Sequence, residues 1–468
     1  MSERRDIVKE ISEITDPKAL RIISYLLEEI RQLKEKVARL EKNSSNSSKP
    51  PSSDIVKPKH ERRHSGERNI GGQKGHPGMK HKLLSPEAMD HITEVPDLKD
   101  CPDCGQLLSS NREKNILVQQ VAELVARPIE LTEYRRYGHC CVHCNKVHYP
   151  ALPQGVIENQ PHGLRAQALI SYMKGFCGIS YLELRKLFTD VFKVPISRSG
   201  LCNVVMRTSV ALKSAHEEVG MQIAHEKAVN IDETSWYDSK RYYCAWVFCT
   251  PSLAYFSIQA SRGSKILKEV LGETFKGAIT SDFYSAYVSF ANPIQQFCLA
   301  HLIRDIKFLT TLDDEDAKVF GETLLASFKL IFKHWHVRDK SPPELTFERI
   351  VRIEKKLYHY VLKTQVESRY AYNMKKRLMK HWDSLFRFSR LPELLDPTNN
   401  LAERTIRSLV RIRKQTQGSR SMNGRLWNSR IMTVIETSKK RNLNAFDFIW
   451  NSLFAKNHHG TYPSLLAA

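Results

Sequence analysis

Apolar residues recur at spacings of three and four near the start of the chain, which predicts a long amphipathic helix within residues 1–43. Asp16 can cap this helix, and Pro17 can occupy its first position. Its apolar seam has the a/d spacing of a coiled coil: Ile23, Leu26, Ile30, Leu33, Val37 and Leu40. We therefore expect self-association through this helix. The alternative is a single helix packed on its own protein.

Residues 44–95 lack such a period and are predicted to form a flexible, basic linker. The stretch NSSNSSKPPSSD at its start has nothing to bury. Residues 57–82 contain eight Lys or Arg against two Glu and include the Gly-rich stretch GGQKGHPG. A basic, Gly-rich arm suits contact with a phosphate backbone or a DNA groove, and a solvated linker is the alternative.

Helical periodicity returns in residues 151–222. An amphipathic helix there is followed by a break near Pro195 and by a second helix that a serine can cap, with Arg198 near its start. Such a pair is either a helix-turn-helix whose second helix enters a DNA groove or an ordinary α-hairpin. Both interpretations fit the pattern.

From residue 223 the pattern changes to alternating strands and helices. Runs rich in β-branched and aromatic residues predict three strands, the last two joined as a hairpin: 227–236, 241–250 and 253–261. A helix, a strand running into Asp282, another helix, another strand and a helix beginning near His301 are predicted next. This element order is that of a ribonuclease-H-like α/β core, which we assign to residues 223–310.

Strand patterns end near residue 310, and residues 311–394 have the spacing of helices. We predict that they form an all-helical insertion. A final helix opens at Asn399 and Asn400 within the core segment 395–456, and residues 457–468 form a tail. The chain is thus expected to be a multidomain α/β protein with a helical region inserted into its core.

The composition and net charge of the chain indicate what kind of partner it binds. The chain has 468 residues and a net charge of +21, from 72 Lys and Arg against 51 Asp and Glu. This length predicts about two to four domains, and the basic excess favours a polyanionic partner, nucleic acid first. There is no apolar run of about 18 residues and no signal-peptide pattern. We therefore expect a cytoplasmic, nucleoid-associated protein and exclude membrane, secreted and wholly disordered classes.

Four of the ten cysteines form two C-x-x-C pairs within residues 96–150, and we predict that they hold a structural zinc ion: Cys101, Cys104, Cys141 and Cys144. Four thiolates suit tetrahedral zinc and leave no open position for catalysis. The strand-like segment between the pairs would complete a zinc-ribbon-like module, although the gap between the pairs is longer than usual. Cys140 and His143 are substitute ligands, and idle reduced thiols are the alternative.

Three carboxylates are candidates for a catalytic metal site. Asp232 and Asp282 stand at the ends of two predicted strands, and they converge at one edge of the sheet if those strands are adjacent and parallel. Glu403 lies opposite the apolar stripe of its helix, so it can point across at the two aspartates. Hard oxygen ligands suit Mg²⁺ or Mn²⁺, and two such ions about 3.5–4 Å apart can catalyse phosphodiester displacement. The alternative for each carboxylate alone is structural: an aspartate at a strand end often forms a turn, and a glutamate beside an arginine in a helix often forms a surface ion pair.

At these residues the sequence resembles the insertion-sequence 66 family of DDE transposases. The resemblance rests on the zipper-like N-terminus, the linker, GGQKGHPG, the paired C-x-x-C segment and four further stretches: IDET, SDFYSAY, CLAHLIRD and NNLAERTIR. It implies that Asp232, Asp282 and Glu403 are the catalytic triad of a DDE-type polynucleotidyl transferase. It also implies that residues 311–394 are inserted between the last core strand and the Glu-bearing helix.

The resemblance further implies a transposase that hydrolyses the phosphodiester at the ends of its element with two Mg²⁺ or Mn²⁺ ions and transfers the freed 3′-OH to target DNA. The residues that would hold the DNA backbone are Arg407, Arg411, Arg413 and Lys414. Expected partners are DNA, further copies of the chain and accessory proteins of the same element. The alternatives are a metal-dependent nuclease without strand transfer and a non-catalytic, zinc-containing DNA-binding protein.

Overall fold

The computed structural model describes the following residues: 15–43, 45–47, 83–96, 98–108, 118–125, 128–290, 294–340 and 342–467. The chain divides into two compact units. The larger comprises Met1–Lys59, Tyr134–Val191 and Pro195–Ala468, and the smaller comprises His60–Glu133 and Phe192–Val194. The stretch GGQKGHPG and most of the basic linker lie outside the described residues.

Helix α1 spans Pro17–Leu40. The Asp16 side chain accepts a hydrogen bond from the backbone N–H of Lys18 at 3.0 Å, which confirms the predicted cap with proline in the first turn. The apolar seam is uncovered, since Leu26, Ile30, Leu33, Val37 and Leu40 are each 48–59% exposed. The helix is confirmed, and its pairing with a second copy stays a prediction.

Two short strands, β1 (His139–Cys140) and β2 (Val147–His148), form an antiparallel hairpin. The longer strand predicted between the two C-x-x-C pairs is wrong for residues 118–125 and 128–138, which have no strand structure. Their apolar side chains are largely exposed, for example Val121 and Val125. An apolar, β-branched segment becomes a strand only where a neighbouring strand accepts its hydrogen bonds, and among the described residues no strand pairs with this one.

Four helices and one π-turn follow β2 and lead into the main sheet: α2 (Leu164–Tyr172), the π-turn (Met173–Cys177), α3 (Tyr181–Asp190), α4 (Arg198–Ala211) and α5 (Lys213–Ile223). Ser180 and Glu183 form a capping box at the start of α3. The Ser197 hydroxyl accepts a hydrogen bond from the N–H of Gly200 at 3.0 Å and caps α4. The predicted helix pair with its break near Pro195 and its serine cap is therefore confirmed.

The central sheet has five strands: β3 (Ala228–Asp238), β4 (Arg241–Cys249), β5 (Ala254–Gln259), β6 (Ala278–Ser281) and β7 (Gln295–Phe297). Their order across the sheet is β5-β4-β3-β6-β7. Strands β3, β4 and β5 form an antiparallel meander, and β6 and β7 run parallel to β3. The chain is therefore a mixed α/β protein, and the predicted hairpin of β4 and β5 is confirmed.

Six helices accompany the sheet: α6 (Lys265–Leu271), α7 (Ser285–Ser289), α8 (Leu299–Leu309), α14 (Asn400–Thr416), α15 (Met422–Lys440) and α16 (Ala445–Asn457). Helix α14 packs on β3 and β4, and α15 covers the edge strand β5. The Thr433 and Thr437 hydroxyls accept the N–H groups of Phe256 and Ala254 at 3.0 and 3.1 Å, which blocks that edge from further pairing.

The expectation that the Glu-bearing helix is the final one is wrong, because α15 and α16 follow it. Helix α15 is buried nearly all round over residues 429–438. Such a helix lacks the one-sided apolar stripe by which amphipathic helices are recognised in a sequence.

The region between α8 and α14 contains five helices: α9 (Glu315–His336), α10 (Pro343–Lys363), α11 (Arg369–Lys380), α12 (Trp382–Leu385) and α13 (Arg387–Arg390). Phe320, Leu324 and Phe328 share one apolar core with Phe297 of β7 and Leu302 of α8. The predicted helical character of 311–394 is confirmed. Across the described residues, none of the helices combines the length and apolarity needed to cross a membrane.

Candidate active site

Asp232 and Asp282 lie at the same edge of the sheet. Strands β3 and β6 are adjacent and parallel, and Asn230 is paired with Thr280. Asp232 stands two residues further along β3, and Asp282 stands two residues beyond Thr280, directly after β6. The prediction that Asp232 ends its strand is wrong, because β3 continues to Asp238 and stays paired with β4 over that length. The parallel register of β3 and β6 nevertheless brings Asp232 level with Asp282.

Glu403 is brought to this edge by the start of α14. The buried Asn399 side chain donates to the Ile231 carbonyl at 2.7 Å and accepts from the Asn230 side chain at 3.0 Å. The backbone carbonyl of Asn399 accepts a hydrogen bond from the Glu403 N–H at 3.1 Å. Asn399 therefore joins the helix to β3 one residue before Asp232, and Glu403 follows one turn later.

The apolar stripe of α14 faces the sheet as predicted. Ala402, Ile406 and Leu409 are buried, whereas Arg407 and Arg411, on the face of Glu403, are exposed. The helix therefore packs through one side and leaves its single first-turn carboxylate free to face the aspartates.

The three carboxylates interact electrostatically. Burial raises the pKa of Asp232 well above its ordinary value, and the negative charges of Glu233, Asp282 and Glu403 raise it further. Burial, Glu233 and then Glu403 raise the pKa of Asp282 to about 6, against the lowering effect of the Tyr284 N–H and of Arg262. Buried carboxylates repel one another, and a divalent cation bound between them would remove this repulsion.

The donor set at this edge fits a divalent cation. Glu403 Oε1 is buried and has no hydrogen-bond partner. Asp232 and Asp282 each use Oδ1 to accept one backbone N–H, from Glu233 at 2.9 Å and from Tyr284 at 2.8 Å. Carboxylate oxygens held in this way are the hard ligands that Mg²⁺ and Mn²⁺ prefer.

Glu233 is engaged elsewhere. Its Oε1 accepts from Arg262 Nη2 at 2.6 Å, and its Oε2 accepts from the Tyr287 hydroxyl. The Arg262 guanidinium also lies 3.9 Å from the centroid of the Tyr284 ring. Because Arg262 pairs with one of its oxygens and the Tyr287 hydroxyl donates to the other, we exclude Glu233 from the metal ligands. The sequence did not single out Arg262, since an arginine in a turn carries no pattern of its own.

Cys298 and His301 also lie beside Glu403. One ligand atom from each of these three residues lies within 4.8 Å of the other two. His301 Nδ1 and Glu403 Oε1 are 3.5 Å apart. Burial, followed by the charge of Arg304, lowers the pKa of His301 to about 4, so the imidazole is neutral near pH 7.

The four predicted DNA-binding residues differ in their surroundings. Arg407 and Lys414 are exposed on α14. Arg411 donates to the carbonyl of Phe176, and its guanidinium lies 5.8 Å from the centroid of that ring. Arg413 is half-buried, and its Nη1 donates to the Thr234 hydroxyl at 2.8 Å and to Ser235. Arg413 thus fastens α14 to β3, which leaves Arg407 and Lys414 as the more accessible cations.

A family model described as "Transposase IS66 family" matches residues 163–425, more than half of the chain. The chain belongs to the IS66 transposase family. The matched range contains Asp232, Asp282 and Glu403. A second model, a family of unknown function (DUF6444), matches residues 4–82. No curated protein matches the chain.

Membership makes this chain an insertion-sequence transposase, a DNA-acting enzyme whose partner is DNA. The resemblance drawn from the sequence is therefore confirmed at the level of the family. The net charge of +21 agrees with a polyanionic partner.

The two C-x-x-C pairs of the transposase fall in different units, and each forms a tight turn. Cys101 N–H donates to the Gln106 carbonyl at 2.8 Å, and Gly105 N–H returns to the Cys101 carbonyl at 2.8 Å. Cys141 makes the same two bonds with Lys146 and Asn145, at 2.9 and 2.8 Å. The shared zinc site stays a prediction, whereas each pair alone already has the turn that presents two sulfur atoms.

Backbone N–H groups favour the thiolate form of the first cysteine in each turn. Those of Cys104 and Asp103 lower the pKa of the Cys101 thiol, and those of Cys144 and His143 do the same for Cys141. Thiolates are the form that binds zinc.

Asn399 was part of a sequence motif, but its function was not predicted. We expect Asn399→Ala to destabilise the transposase by about 2–3 kcal/mol, because the Ile231 carbonyl and the Asn230 amide lose buried partners. The neighbouring exposed Asn400→Ala is the matched control and should cost less than about 0.5 kcal/mol. Thermal unfolding of both variants measures this, and equal midpoints would show that Asn399 does not join the helix to the strand.

The raised pKa of Asp282 predicts a pH-dependent effect of its substitution. The folded state retains a proton on Asp282 that the unfolded chain releases, so this group lowers stability as the pH rises from about 4 through about 6. Without added Mg²⁺ or Mn²⁺, Asp282→Asn should therefore stabilise the protein by about 1–3 kcal/mol at pH 7.5 and by much less at pH 4. Denaturant unfolding at both pH values tests the sign, and a pH-independent difference would contradict it.

Proposed function

We propose that this transposase hydrolyses a phosphodiester at the ends of its element and then joins the freed 3′-OH to target DNA, using divalent cations held by Asp232, Asp282 and Glu403. The observation that carries the proposal is the electrostatic coupling of these three carboxylates at one sheet edge, together with the buried and unpartnered Glu403 Oε1. Family membership supplies the DNA substrate.

The protein's part in this chemistry is to hold ligands and to position DNA. Asp232 and Asp282 are held by the sheet and by one backbone N–H each, and the charge of Glu403 acts on both of them. Two bound divalent ions would supply activation of the attacking oxygen and stabilisation of the leaving oxygen. The exposed Arg407 and Lys414 on the same helix provide cations for the phosphates that flank the scissile bond.

We further propose that residues 223–310 together with 395–456 form a ribonuclease-H-like core interrupted by the helical region. The strand order β5-β4-β3-β6-β7, with three antiparallel strands followed by two parallel ones, supports this assignment. The five helices α9–α13 occupy the stretch of sequence between α8 and the Glu-bearing α14.

We also propose that the transposase acts as an oligomer on DNA through the uncovered seam of α1. Five apolar side chains at heptad spacing on one helix form a face that a second copy of the same helix can bury. DNA-end synapsis by paired subunits would follow from such a contact. Accessory proteins of the same element remain expected partners.

The proposal is tested with linear DNA carrying the element's own terminal repeats. Cleavage at the repeat ends that requires Mg²⁺ or Mn²⁺, followed by joining of labelled pre-cut 3′-OH ends to a target plasmid, is the expected result. Cleavage without joining would support the nuclease alternative. Cation-independent binding without nicking would instead support the zinc-containing DNA-binding protein, and either outcome would overturn the proposal.

The structural zinc proposed for Cys101, Cys104, Cys141 and Cys144 has its own test. If the four thiolates share one ion, purified protein should contain about one zinc per chain, and Cys→Ser at either pair should remove it. The buried Cys249→Ser is the matched control, since burial raises the pKa of this thiol to about 12 and keeps it from binding zinc. Full zinc content in a variant lacking one pair would contradict the shared site.

A further inference from the structure

The segment that carries Cys298 and His301 starts at the same sheet edge as Asp282. Cys298 follows β7 directly, and its N–H donates to the carbonyl of Ser281, the residue before Asp282, at 2.8 Å. His301 lies three residues later, in the first turn of α8. The start of α8 is also joined to the approach of α14, because Leu299 N–H donates to the Pro397 carbonyl at 2.8 Å. The histidine is therefore positioned by the elements that carry two of the carboxylates.

His301 and Glu403 face each other through atoms that both lack a hydrogen bond. His301 Nδ1 and Glu403 Oε1 are buried from solvent, and neither has a hydrogen-bond partner. Buried polar atoms are almost always satisfied, so two unsatisfied ones in contact point to a third participant. A positive ion between them would satisfy both.

Their separation fits two ligands of one cation. Neighbouring ligands of an octahedral Mg²⁺ or Mn²⁺ ion, each about 2.0–2.2 Å from it, lie about 3.0 Å apart, and about 3.4 Å apart where the angle between them opens to about 110°. The observed separation of His301 Nδ1 and Glu403 Oε1 is 3.5 Å. A direct N–H···O hydrogen bond would bring the atoms to about 2.7–3.2 Å. The separation is therefore too long for a direct hydrogen bond and leaves room for an ion that both atoms contact.

Cys298 has a different function in this group. Its sulfur accepts the backbone N–H of Asn399 at 3.2 Å, and the residue is fully buried. It therefore helps to join the approach of α14 to β7, and its sulfur is already engaged. Of the two residues beside Glu403, His301 is the one with a free donor atom.

We propose that His301 Nδ1 is a ligand of the divalent cation that Glu403 binds, so that one cation of the active site has a nitrogen ligand. This inference rests on the proposed function, since it assumes that Glu403 binds a catalytic cation. Imidazole nitrogen is a better ligand for Mn²⁺ and the later transition metals than for Mg²⁺. The site should therefore favour Mn²⁺ over Mg²⁺ more strongly than three carboxylates alone would.

The test uses zinc-loaded, full-length protein with one equivalent of Mn²⁺ and a spectroscopic measurement that is independent of DNA cleavage. Electron spin echo envelope modulation should show coupling of the Mn²⁺ electron spin to a ¹⁴N nucleus, replaced by ¹⁵N coupling in protein grown with ¹⁵N-histidine. His301→Gln should remove the coupling and weaken Mn²⁺ binding by at least about 10-fold, with a smaller effect on Mg²⁺. The matched control, His216→Gln, changes another buried histidine and should leave the coupling intact.

Two results separate failure of this inference from failure of the proposed function. Bound Mn²⁺ that is lost in Asp282→Asn but shows no histidine nitrogen coupling in the unsubstituted protein would overturn the ligand assignment and leave the carboxylate site in place. Mn²⁺ affinity that is unchanged by Asp282→Asn would mean that the carboxylates do not bind the ion, which overturns both. Because the labelled unsubstituted protein answers the question alone, the test does not depend on how well His301→Gln folds.

Discussion

Asp282→Asn should abolish DNA cleavage and strand transfer while leaving DNA binding nearly unchanged. The substitution replaces one carboxylate oxygen of the proposed metal site and removes one negative charge, and it keeps the shape of the side chain. Substitution of a residue that hydrogen-bonds to a metal ligand typically lowers metal affinity or activity about 10–100-fold. Loss of a ligand itself should therefore reduce the cleavage rate by at least about 100-fold. Gel-based cleavage of terminal-repeat DNA in Mg²⁺, together with a binding assay on the same DNA, measures both quantities.

The matched control for this prediction is Asp339→Asn in the helical region, where the side chain is 81% exposed. It changes the same charge on the same protein and should cleave normally. Retained strand transfer by Asp282→Asn would remove this residue from the active site. Equal loss of DNA binding and cleavage would show instead that the substitution disturbs the fold.

Gly418→Ala should be among the most destabilising single-methyl changes in the transposase. Gly418 has φ +100°, and a Cβ built on it would lie 2.1 Å from the Tyr237 carbonyl oxygen. A residue with a Cβ costs about 1–2 kcal/mol in a left-handed conformation, and overpacking against backbone adds about 1–3 kcal/mol. The segment after α14 pairs with the end of β3, since Ser419 N–H donates to the Tyr237 carbonyl at 2.9 Å. We therefore expect a large drop in the thermal midpoint and a weakened metal site.

Gly155→Ala separates the two contributions. Gly155 has φ +90°, but nothing lies within 4 Å of its added Cβ, so this variant reports the conformational cost alone. Calorimetric midpoints should fall in the order unsubstituted protein, Gly155→Ala, Gly418→Ala. Equal midpoints for the two variants would show that close packing against Tyr237 contributes nothing.

Much of the fold could be predicted because its elements have local patterns. The β-branched and aromatic runs of β4 and β5, the serine before Arg198 and the stripe of Ala402, Ile406 and Leu409 each depend on neighbours in the sequence. These are the features that periodicity and capping rules detect. Convergence of Asp232 and Asp282 was expected only if their strands were adjacent and parallel, and the structure shows that β3 and β6 are.

The elements that sequence reasoning missed depend on distant contacts. Helix α15 is buried on nearly all sides, so its residues show no amphipathic period. The segment at 118–125 is rich in β-branched residues, but no strand in the described part of the chain pairs with it. In both cases the tertiary surroundings, which leave no mark on local spacing, decide the outcome.

The candidate site shows the same division. The three carboxylates could be proposed from strand ends and one helix face, whereas the Asn399 link to Ile231 and the approach of His301 to Glu403 join residues about a hundred or more positions apart. Arg413 is a further example. It was predicted to bind DNA, but its Nη1 donates hydrogen bonds to Thr234 and Ser235 of β3. An exposed arginine and an internally bonded one look alike in a sequence.

Anomalous diffraction from crystals of the full-length transposase soaked in Mn²⁺ would show whether the three carboxylates bind metal. We expect Mn²⁺ peaks between Asp232, Asp282 and Glu403, with carboxylate oxygens about 2.0–2.3 Å from the ions. Manganese bound elsewhere on the protein, with no peak among these three side chains, would contradict this expectation.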